Sequence, residues 1–322
     1  MNSTQQWQNV TWFEVDEHQD GQRIDNFLFT RLKGVPKSRI YRLIREGQVR
    51  VNKKRIKAET KLKIGDQIRV APIRYEQKDE SAAPVSDKVA QGLLARVIYE
   101  DEGLIVVNKP AGIAVHGGSG VAYGLIEGMR AATGKKYLEL VHRIDRDTSG
   151  LVMISKKRSV LKTLQDLLRE HKIQKTYAAV VKGKVALDKQ LIDQPLYRYE
   201  LANGERRVRV SSEGKPSKTQ WNVQERFMHA TLVYASPLSG RTHQIRVHGL
   251  SIGHPLVGDE KYGHDTEYRG PKPRRLCLHA MRLDIPGYAP IEAPMPEDMQ
   301  SLIAQLRAQK ADKVVASDVD DE

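Results

Sequence analysis

The stretch Val141-His-Arg-Ile-Asp-Arg-Asp-Thr-Ser-Gly150 leads directly into the apolar run Leu151-Val-Met-Ile154. A short apolar run bounded by polar residues predicts a buried strand, and the polar residues before it predict a turn at its mouth. Within that turn Asp145 lies between Arg143 and Arg146, and adjacent cations favour the ionised form of a carboxyl group. The pattern therefore suits a nucleophile or a base better than an acid.

Two other interpretations of this turn remain open. Side-chain hydrogen bonds from Asp147, Thr148 and Ser149 would close a purely structural surface turn, and we assign that role to Asp147. A metal site is the other, because possible ligands recur along the chain: His142, Asp145, Asp147, His243, His248, His254 and His279. His243 and His248 are five positions apart and so lie on different faces of a helix or strand, unlike the i,i+4 pair of a metal-binding helix. We expect no catalytic metal.

The sequence before and after the turn that contains Asp145 predicts further short strands and turns. Apolar alternation and turn residues predict strands at 96–99, 104–108, 207–211, 220–226, 231–235 and 276–285, and helices near 159–171 and 242–253. A last helix should begin at Pro296 with four residues facing inward: Met299, Leu302, Ile303 and Leu306. The pattern predicts an α+β domain whose sheet is mixed and largely antiparallel, flanked by helices.

Two further polar segments are Ser239-Gly-Arg-Thr-His-Gln-Ile-Arg-Val-His248 and Gln174-Lys-Thr-Tyr177. Thr242 is placed to cap the helix that follows it, and Arg246 lies one turn later, where its side chain can face an anion. Arg241 is typical of a phosphate contact or a surface ion pair. Tyr177 opens an apolar stretch and, taken alone, is more typical of a core residue.

Positive charge is concentrated near the N-terminus. The chain of 322 residues has a formal net charge of +13, of which residues 21–70 contribute 15 − 4 = +11. Such a field predicts a polyanionic partner: RNA, DNA or an anionic membrane. The apolar spacing in this segment predicts two short helices, the first with Ile24, Phe27, Leu28 and Leu32 inward and the second, capped by Ser38, with Ile40, Leu43 and Ile44 inward.

Three arginines of the second helix, Arg39, Arg42 and Arg45, share one face away from the apolar residues. Gly47 ends the helix, and a strand at 49–51, a basic loop Lys53-Lys-Arg55 and a strand around Ile68 follow. Taken alone, this basic face is equally typical of a solvated surface.

The order of motifs in this segment resembles the S4 RNA-binding domain. The motifs are Gly21-Gln-Arg-Ile-Asp25, Lys37-Ser-Arg-Ile40, Gly47-Gln-Val-Arg-Val-Asn52 and Lys63-Ile-Gly-Asp-Gln-Ile68. The resemblance implies a small α/β domain at residues 21–71 that presents Arg39, Arg42, Arg45, Lys53, Lys54 and Arg55 to RNA backbone. An N-terminal arm at 1–20 precedes it, and a polar linker at 72–95 follows it.

The larger part of the chain resembles the RluA-type pseudouridine synthases. The resemblance rests on His142-Arg-Ile-Asp-Arg-Asp-Thr-Ser-Gly150, Asn108-Lys-Pro-Ala-Gly112, Gln174-Lys-Thr-Tyr177, Gly240-Arg-Thr-His-Gln-Ile-Arg-Val-His248, Val115-His-Gly-Gly-Ser-Gly120 and Leu278-His-Ala280. Ile144 stands where the family usually has leucine. A catalytic domain of the pseudouridine synthase fold at 96–310 is implied, and an acidic, disordered tail is expected at 311–322.

The resemblance also implies roles for individual residues. Asp145 would be the catalytic aspartate, Arg246 would pair with it in a dry pocket, and Tyr177 would lie against the uracil. Arg143 would fill the gap left by the flipped base, and Arg241 would contact RNA. The implied substrate is large-subunit (23S) ribosomal RNA; a sister synthase acting on other rRNA or tRNA sites, or a non-catalytic ribosome-assembly factor, remain alternatives.

Composition and motifs limit the other classes of protein. The first ten residues do not resemble a secretory signal, and the longest apolar runs fall far short of the roughly 20 residues that span a bilayer. Cys277 is the single cysteine, which excludes an intramolecular disulfide. The glycines at Gly118, Gly120 and Gly124 miss the spacing of the dinucleotide fingerprint. We expect a cytoplasmic monomer without cofactor, metal or membrane contact.

Overall fold

The computed structural model of the protein describes residues 9–32, 35–73, 85–117, 123–135, 137–263 and 266–317. The chain divides into two compact units, Met1–Pro84 with Lys156–Lys162, and Val85–Ser155 with Thr163–Glu322. The mixed α+β architecture expected from the sequence is confirmed. None of the helices in the described ranges combines the length and apolarity needed to cross a membrane.

The first unit contains a four-stranded antiparallel sheet and two helices. In chain order the elements are β1 (Thr11–Glu14), α1 (Ile24–Arg31), α2 (Lys37–Arg45), β2 (Val49–Val51), β3 (Lys54–Arg55) and β4 (Gln67–Val70), with strand order β1-β4-β2-β3. All the apolar residues predicted to face inward from the two helices are buried: Ile24, Phe27, Leu28, Leu32, Ile40, Leu43 and Ile44. The helical spacing therefore identified the core of this unit correctly.

Local details of this unit differ from the sequence prediction. Residues 11–14, assigned to an N-terminal arm, form β1 and pair with β4, because Phe13 can then pack against the core. The helix cap predicted at Ser38 is wrong: α2 begins at Lys37 after Pro36, which has extended backbone and makes no side-chain cap. Gly47, at φ +71, does end the helix.

The predicted basic loop is largely a hairpin. Asn52 and Lys53 have φ of 48 and 66, the left-handed values of a two-residue hairpin turn. Lys54 and Arg55 consequently lie on β3, paired with β2.

The second unit is built on one large sheet. Its elements in chain order are α3 (Asp87–Leu94), β5 (Val97–Glu100), β6 (Leu104–Lys109), α4 (Leu125–Thr133), β7 (Glu139–Leu140), β8 (Ser149–Ser155), α5 (Arg158–Arg169), β9 (Gln174–Lys182), β10 (Lys189–Asp193), β11 (Leu196–Glu200), β12 (Arg206–Val210), β13 (Lys218–Arg226), β14 (Ala230–Pro237), α6 (Gln244–Ser251), β15 (Leu278–Asp284), β16 (Ile291–Glu292) and α7 (Glu297–Ser317). The residues of α5 up to Lys162 belong to the first unit.

Strand order in this sheet is β10-β13-β14-β9-β15-β8-β6-β5, with β16 beside β15 and β7 beside β8, while β11 and β12 form a separate hairpin. Among the described strands every pairing is antiparallel except that of β15 with β8. The mixed, largely antiparallel sheet is thus confirmed.

The parallel junction of β8 with β15 lies next to the turn that contains Asp145. His279 is opposite Ser149, and Ala280 is opposite Gly150. Gly150 has φ +116, and a Cβ added there would lie 2.2 Å from the carbonyl oxygen of Ala280. Only glycine fits this position, so the turn enters the centre of the sheet with its backbone against β15.

Three segments of the second unit depart from the prediction. Residues 87–94, assigned to the linker, form α3, which packs on α4 so closely that a Cβ at Gly128 would meet Leu93. The helix cap predicted at Thr242 is wrong, because α6 begins at Gln244 and its N-cap is His243. Helix α7 runs to Ser317, past the expected domain end at 310, while residues 318–322 of the predicted tail lie outside the described residues. The four predicted inward residues of α7 are buried.

Candidate active site

Side chains from three separate elements line one cavity. Asp145 comes from the turn before β8, Tyr177 from β9 and Arg246 from α6. Arg143 and Arg241 also line this cavity. The cavity measures about 100 Å³, several times the roughly 10–15 Å³ that one water requires. The structure therefore brings together the three residues predicted to be catalytic and two of those predicted to bind RNA.

The Asp145 side chain is 21 % exposed and faces two nitrogen groups. Its Oδ2 lies 3.8 Å from Nη1 of Arg246 and 3.9 Å from Nε2 of His243. The turn is closed by the amide of Thr148, which donates to the carbonyl oxygen of Asp145. Asp147 pairs with the exposed Arg146, and among the described contacts its side chain does not make the turn-closing hydrogen bond that the sequence predicted.

The principal partner of Arg246 is not Asp145 but Asp259. Nε and Nη2 of Arg246 each donate a hydrogen bond of 2.7 Å to Asp259. Asp259 has no exposed side-chain surface and also accepts the amides of Lys261 and Tyr262. Burial is the largest single effect and lowers the pKa of Arg246, but the hydrogen bonds and charge of Asp259, together with the charges of Asp145 and Tyr262, outweigh it and raise the pKa. The guanidinium is therefore held charged, with Nη1 turned toward Asp145.

Sequence analysis missed Asp259. The residue lies in Gly258-Asp-Glu-Lys-Tyr-Gly263, between two glycines, a pattern typical of a turn and not specific for any chemistry. Its pairing with Arg246 is a tertiary contact, and no spacing rule predicts such a contact.

Tyr177 is 9 % exposed and is paired through its backbone with both β14 and β15. Burial, and then the negative charge of Asp145, raise the pKa of its phenol. The group is therefore a neutral phenol at the cavity wall. Its ring offers an apolar surface to the cavity that Asp145 also lines.

Lys109, at the end of β6, is fully buried beneath the same turn. Its ammonium donates to the carbonyl oxygens of Pro110, Ile113 and Arg146 at 2.9, 2.8 and 3.0 Å. Burial lowers its pKa to about 7, against the opposing effect of Asp147 and Asp145. Three carbonyl acceptors match the three donors of the charged form. Lys109 thereby ties the turn to the loop after β6, a role that the sequence analysis did not assign.

The histidines considered as metal ligands are hydrogen-bonded separately. His142 Nε2 accepts the amide of Met153, His248 Nδ1 contacts Thr219, His254 Nδ1 contacts the carbonyl of Lys182, and His279 Nδ1 contacts Ser149. Across the described part of the chain no three His, Cys, Asp or Glu side chains form a cluster that could hold a metal ion.

The other residues predicted to bind RNA lie in the first unit. Arg39 is half-buried, Arg45 is exposed, and Arg42 is exposed but donates to Glu46 at 2.6 Å. Lys53, Lys54 and Arg55 are exposed. The last two line a groove whose walls also carry Lys57, Lys61 and Lys63.

A second groove adjoins the cavity in the second unit. Exposed Arg241 lines both, and the groove runs along the β11–β12 hairpin. On that hairpin the guanidinium of Arg209 lies 5.8 Å from the ring centre of Tyr197 and 5.4 Å from that of Tyr199. Arginine interleaved with tyrosine is typical of surfaces that contact nucleic acid. The sequence analysis did not single out this hairpin.

Comparison with known proteins gives consistent results. The family model for RNA pseudouridylate synthase matches residues 103–251, and that for the S4 domain matches residues 22–68. Ribosomal large subunit pseudouridine synthase C of Escherichia coli (strain K12) is 51% identical over 300 residues, covering 89% of this chain and 93% of the relative. The protein of the same name from Pasteurella multocida (strain Pm70) is 48% identical over 316 residues, covering 94% and 96%.

Two solved human structures share the fold. Human RNA Pseudouridylate Synthase Domain Containing 4 aligns with a TM-score of 0.57 and 25% identity, covering 68% of this chain and 96% of that one. Human RNA Pseudouridylate Synthase Domain Containing 1 aligns with a TM-score of 0.54 and 27% identity, covering 65% and 86%.

Proposed function

Because the chain belongs to the RluA-type family of RNA pseudouridine synthases, we propose that it converts uridines of large-subunit (23S) ribosomal RNA to pseudouridine. The observation that carries the proposal is the meeting of Asp145, Tyr177 and Arg246 around one cavity. The relatives that cover most of the chain are named for large-subunit RNA, which supports that substrate class.

In the proposed reaction Asp145 is the catalytic group at the glycosidic bond. The bond from N1 of uracil to C1′ breaks, the base rotates within the cavity, and C5 bonds to C1′. The proton displaced from C5 passes to solvent, and N1 takes up a proton in exchange. Arg246, fixed by Asp259, keeps a positive charge 3.8 Å from the carboxylate. A neutral Tyr177 lies against the base and excludes water. The change occurs within one nucleoside, so no oxidant or energy source is consumed.

The target nucleotide must leave its stack to reach the cavity, which costs a few kcal/mol of unstacking. Exposed Arg143 stands at the cavity wall, where it can occupy the place of the flipped base. Arg241 holds the neighbouring backbone.

The first unit supplies phosphate contacts in this proposal. Its six candidate contacts are Arg39, Arg42, Arg45, Lys53, Lys54 and Arg55, most of them exposed. We assign RNA binding to residues 21–71 and catalysis to residues 96–310. With ribosomal RNA as substrate, the enzyme would be a cytoplasmic monomer that needs no cofactor.

The test uses unmodified ribosomal RNA with tritium at uracil C5, incubated with the purified full chain. We expect tritium release by the wild type and none above background by Asp145→Asn. Asp147→Asn is the matched control, because this neighbouring carboxylate is paired with Arg146 on the outside of the turn and should leave release unchanged.

Each alternative function gives a different result in the same assay. Release from tRNA or small-subunit RNA in place of large-subunit RNA would indicate a sister synthase. Tight RNA binding without any release would indicate an assembly factor and would overturn the proposal.

A further inference from the structure

His243 reaches the cavity from an unusual backbone conformation. It is the N-cap of α6 with φ 53 and ψ 21, a left-handed conformation that is uncommon for residues other than glycine. Its side chain is 13 % exposed and lies between two groups. Nδ1 is 2.7 Å from the phenol oxygen of Tyr262, and Nε2 is 3.9 Å from Oδ2 of Asp145.

The contacts of Tyr262 decide which ring nitrogen of His243 carries the proton. The phenol oxygen is buried and already accepts the amide of Val208 at 3.0 Å. Burial raises the pKa of Tyr262 to about 12, so the phenol retains its own hydrogen. If Nδ1 carried the proton, that phenol hydrogen would have no acceptor among the described contacts, and an unpaired donor is costly in a buried site. Tyr262 therefore donates to Nδ1, and the ring proton resides on Nε2.

The charges around the ring favour the neutral imidazole. Burial has the largest effect and lowers the pKa of His243; Arg246 and Lys261 lower it further, while Asp145 and Asp259 oppose them. At neutral pH the ring is thus uncharged, with Nε2–H facing the carboxylate.

We propose that His243, held by Tyr262 as the neutral Nε2–H tautomer, is a positioning residue for Asp145. With Arg246 it places two N–H groups around the same oxygen, Oδ2, and thereby leaves Oδ1 to face the nucleoside. The distances of 3.8 and 3.9 Å exceed a hydrogen bond, and such contacts often shorten only when substrate is bound. This inference rests on the proposed function of Asp145.

Two substitutions at one position separate positioning from folding. Asparagine tolerates the left-handed backbone and can still meet Tyr262, but it is too short to replace Nε2. Glutamine brings an amide N–H to the place of Nε2. We expect His243→Asn to lower kcat about 10- to 100-fold, the range for a hydrogen bond to a charged group, with KM for RNA nearly unchanged. His243→Gln should recover most of kcat. Full kcat in the asparagine variant, or equal reductions in both, would overturn the inference.

A second measurement does not depend on activity. In histidine-labelled full-length protein, the ¹⁵N shifts of His243, assigned by their absence in His243→Asn, should be those of an unprotonated Nδ1 and a protonated Nε2. In Tyr262→Phe the hydrogen bond that favours unprotonated Nδ1 is removed, so the pKa of His243, followed by the same ¹⁵N shifts, should rise. A protonated Nδ1 in the wild type refutes the assignment.

The two measurements also separate this inference from the proposed function. A wild type that releases no tritium from any RNA defeats the proposed function, whatever the tautomer. If the wild type is active and the substitutions of His243 leave kcat unchanged, only the inference about His243 fails.

Discussion

Arg246 and Asp259 form a doubly hydrogen-bonded pair in which Nε and Nη2 each lie 2.7 Å from a different carboxylate oxygen. A guanidinium is planar and rigid, so fixing two of its nitrogens fixes the third. The third nitrogen, Nη1, faces Asp145. A fully buried carboxylate outside the predicted motifs thus sets the direction of the positive charge at the candidate catalytic group.

Asp259→Asn should both destabilise the protein and lower its activity. The substitution leaves the buried Arg246 charge without its partner, which costs about 3–5 kcal/mol, and a misplaced guanidinium should lower kcat about 100-fold. Urea unfolding and tritium release measure the two effects. Asp298→Asn is the control, because it breaks a similar pair with Arg275 that is about a fifth exposed. Equal effects of the two variants would contradict the assigned role of Asp259.

Gly150→Ala should prevent normal folding of the second unit. The new methyl group would overlap the backbone of Ala280, 2.2 Å from its oxygen, in a strand that cannot move away. We expect a decrease of more than about 4 kcal/mol in the free energy of unfolding, or no folded protein.

Gly253→Ala provides the comparison for that variant. Gly253 also has positive φ, at +79, but has open space around the new Cβ. We expect the free energy of unfolding to decrease by only about 1–2 kcal/mol, the cost of a left-handed backbone conformation for alanine. Similar decreases from the two glycines would show that backbone strain, not the contact with β15, limits position 150.

Stability should fall as the pH drops from 6.5 to 4. Burial lowers the pKa of His279 from its ordinary 6.5 to about 4. As the pH falls, the unfolded chain therefore binds a proton at this position before the folded protein does. The contribution of the neutral His279 to the free energy of unfolding is complete above pH 6.5 and disappears as the pH falls through 4. Its size is about 3 kcal/mol for a shift of this extent. Burial lowers the pKa of His142 as well, to about 3, which acts in the same direction.

Urea unfolding at a series of pH values measures this dependence. His279→Asn should reduce the slope between pH 6.5 and 4, whereas substitution of the exposed His116 should not. An unchanged slope in the His279 variant would mean that its imidazole is not the group responsible.

Binding of RNA should depend on salt through the first unit. Replacing Arg39 and Arg45 by alanine should weaken binding and reduce the slope of log affinity against log salt by about 0.7–0.9 for each phosphate that is no longer neutralised. Filter binding at several salt concentrations gives the slope. Arg269→Ala, which removes an exposed arginine paired with Glu267, should change it little. An identical slope in the double variant would mean that α2 does not contact RNA.

Much of the fold was predictable from local patterns. The spacing of Ile24, Phe27 and Leu28 identified the inner face of α1, and the apolar run after Gly150 identified β8. These predictions succeed because helices and strands have fixed periods, so a few neighbouring residues define a buried face. Strand β1 was missed because four residues are too few to show a periodic pattern. Helix α3 was missed because the segment around it is polar and shows little periodicity.

The sequence by itself determined the chemistry available at the site: a carboxylate at 145, a phenol at 177 and a guanidinium at 246, each within a motif. Only the tertiary structure decided how these groups meet. Strand β15 lies between β8 and β9, so residues 145 and 177 share a cavity although their strands are not neighbours. The pairing of Arg246 with Asp259, and of His243 with Tyr262, arises from packing between separate segments. Local spacing contains no information about such contacts, because the free energy that selects them belongs to the assembled core.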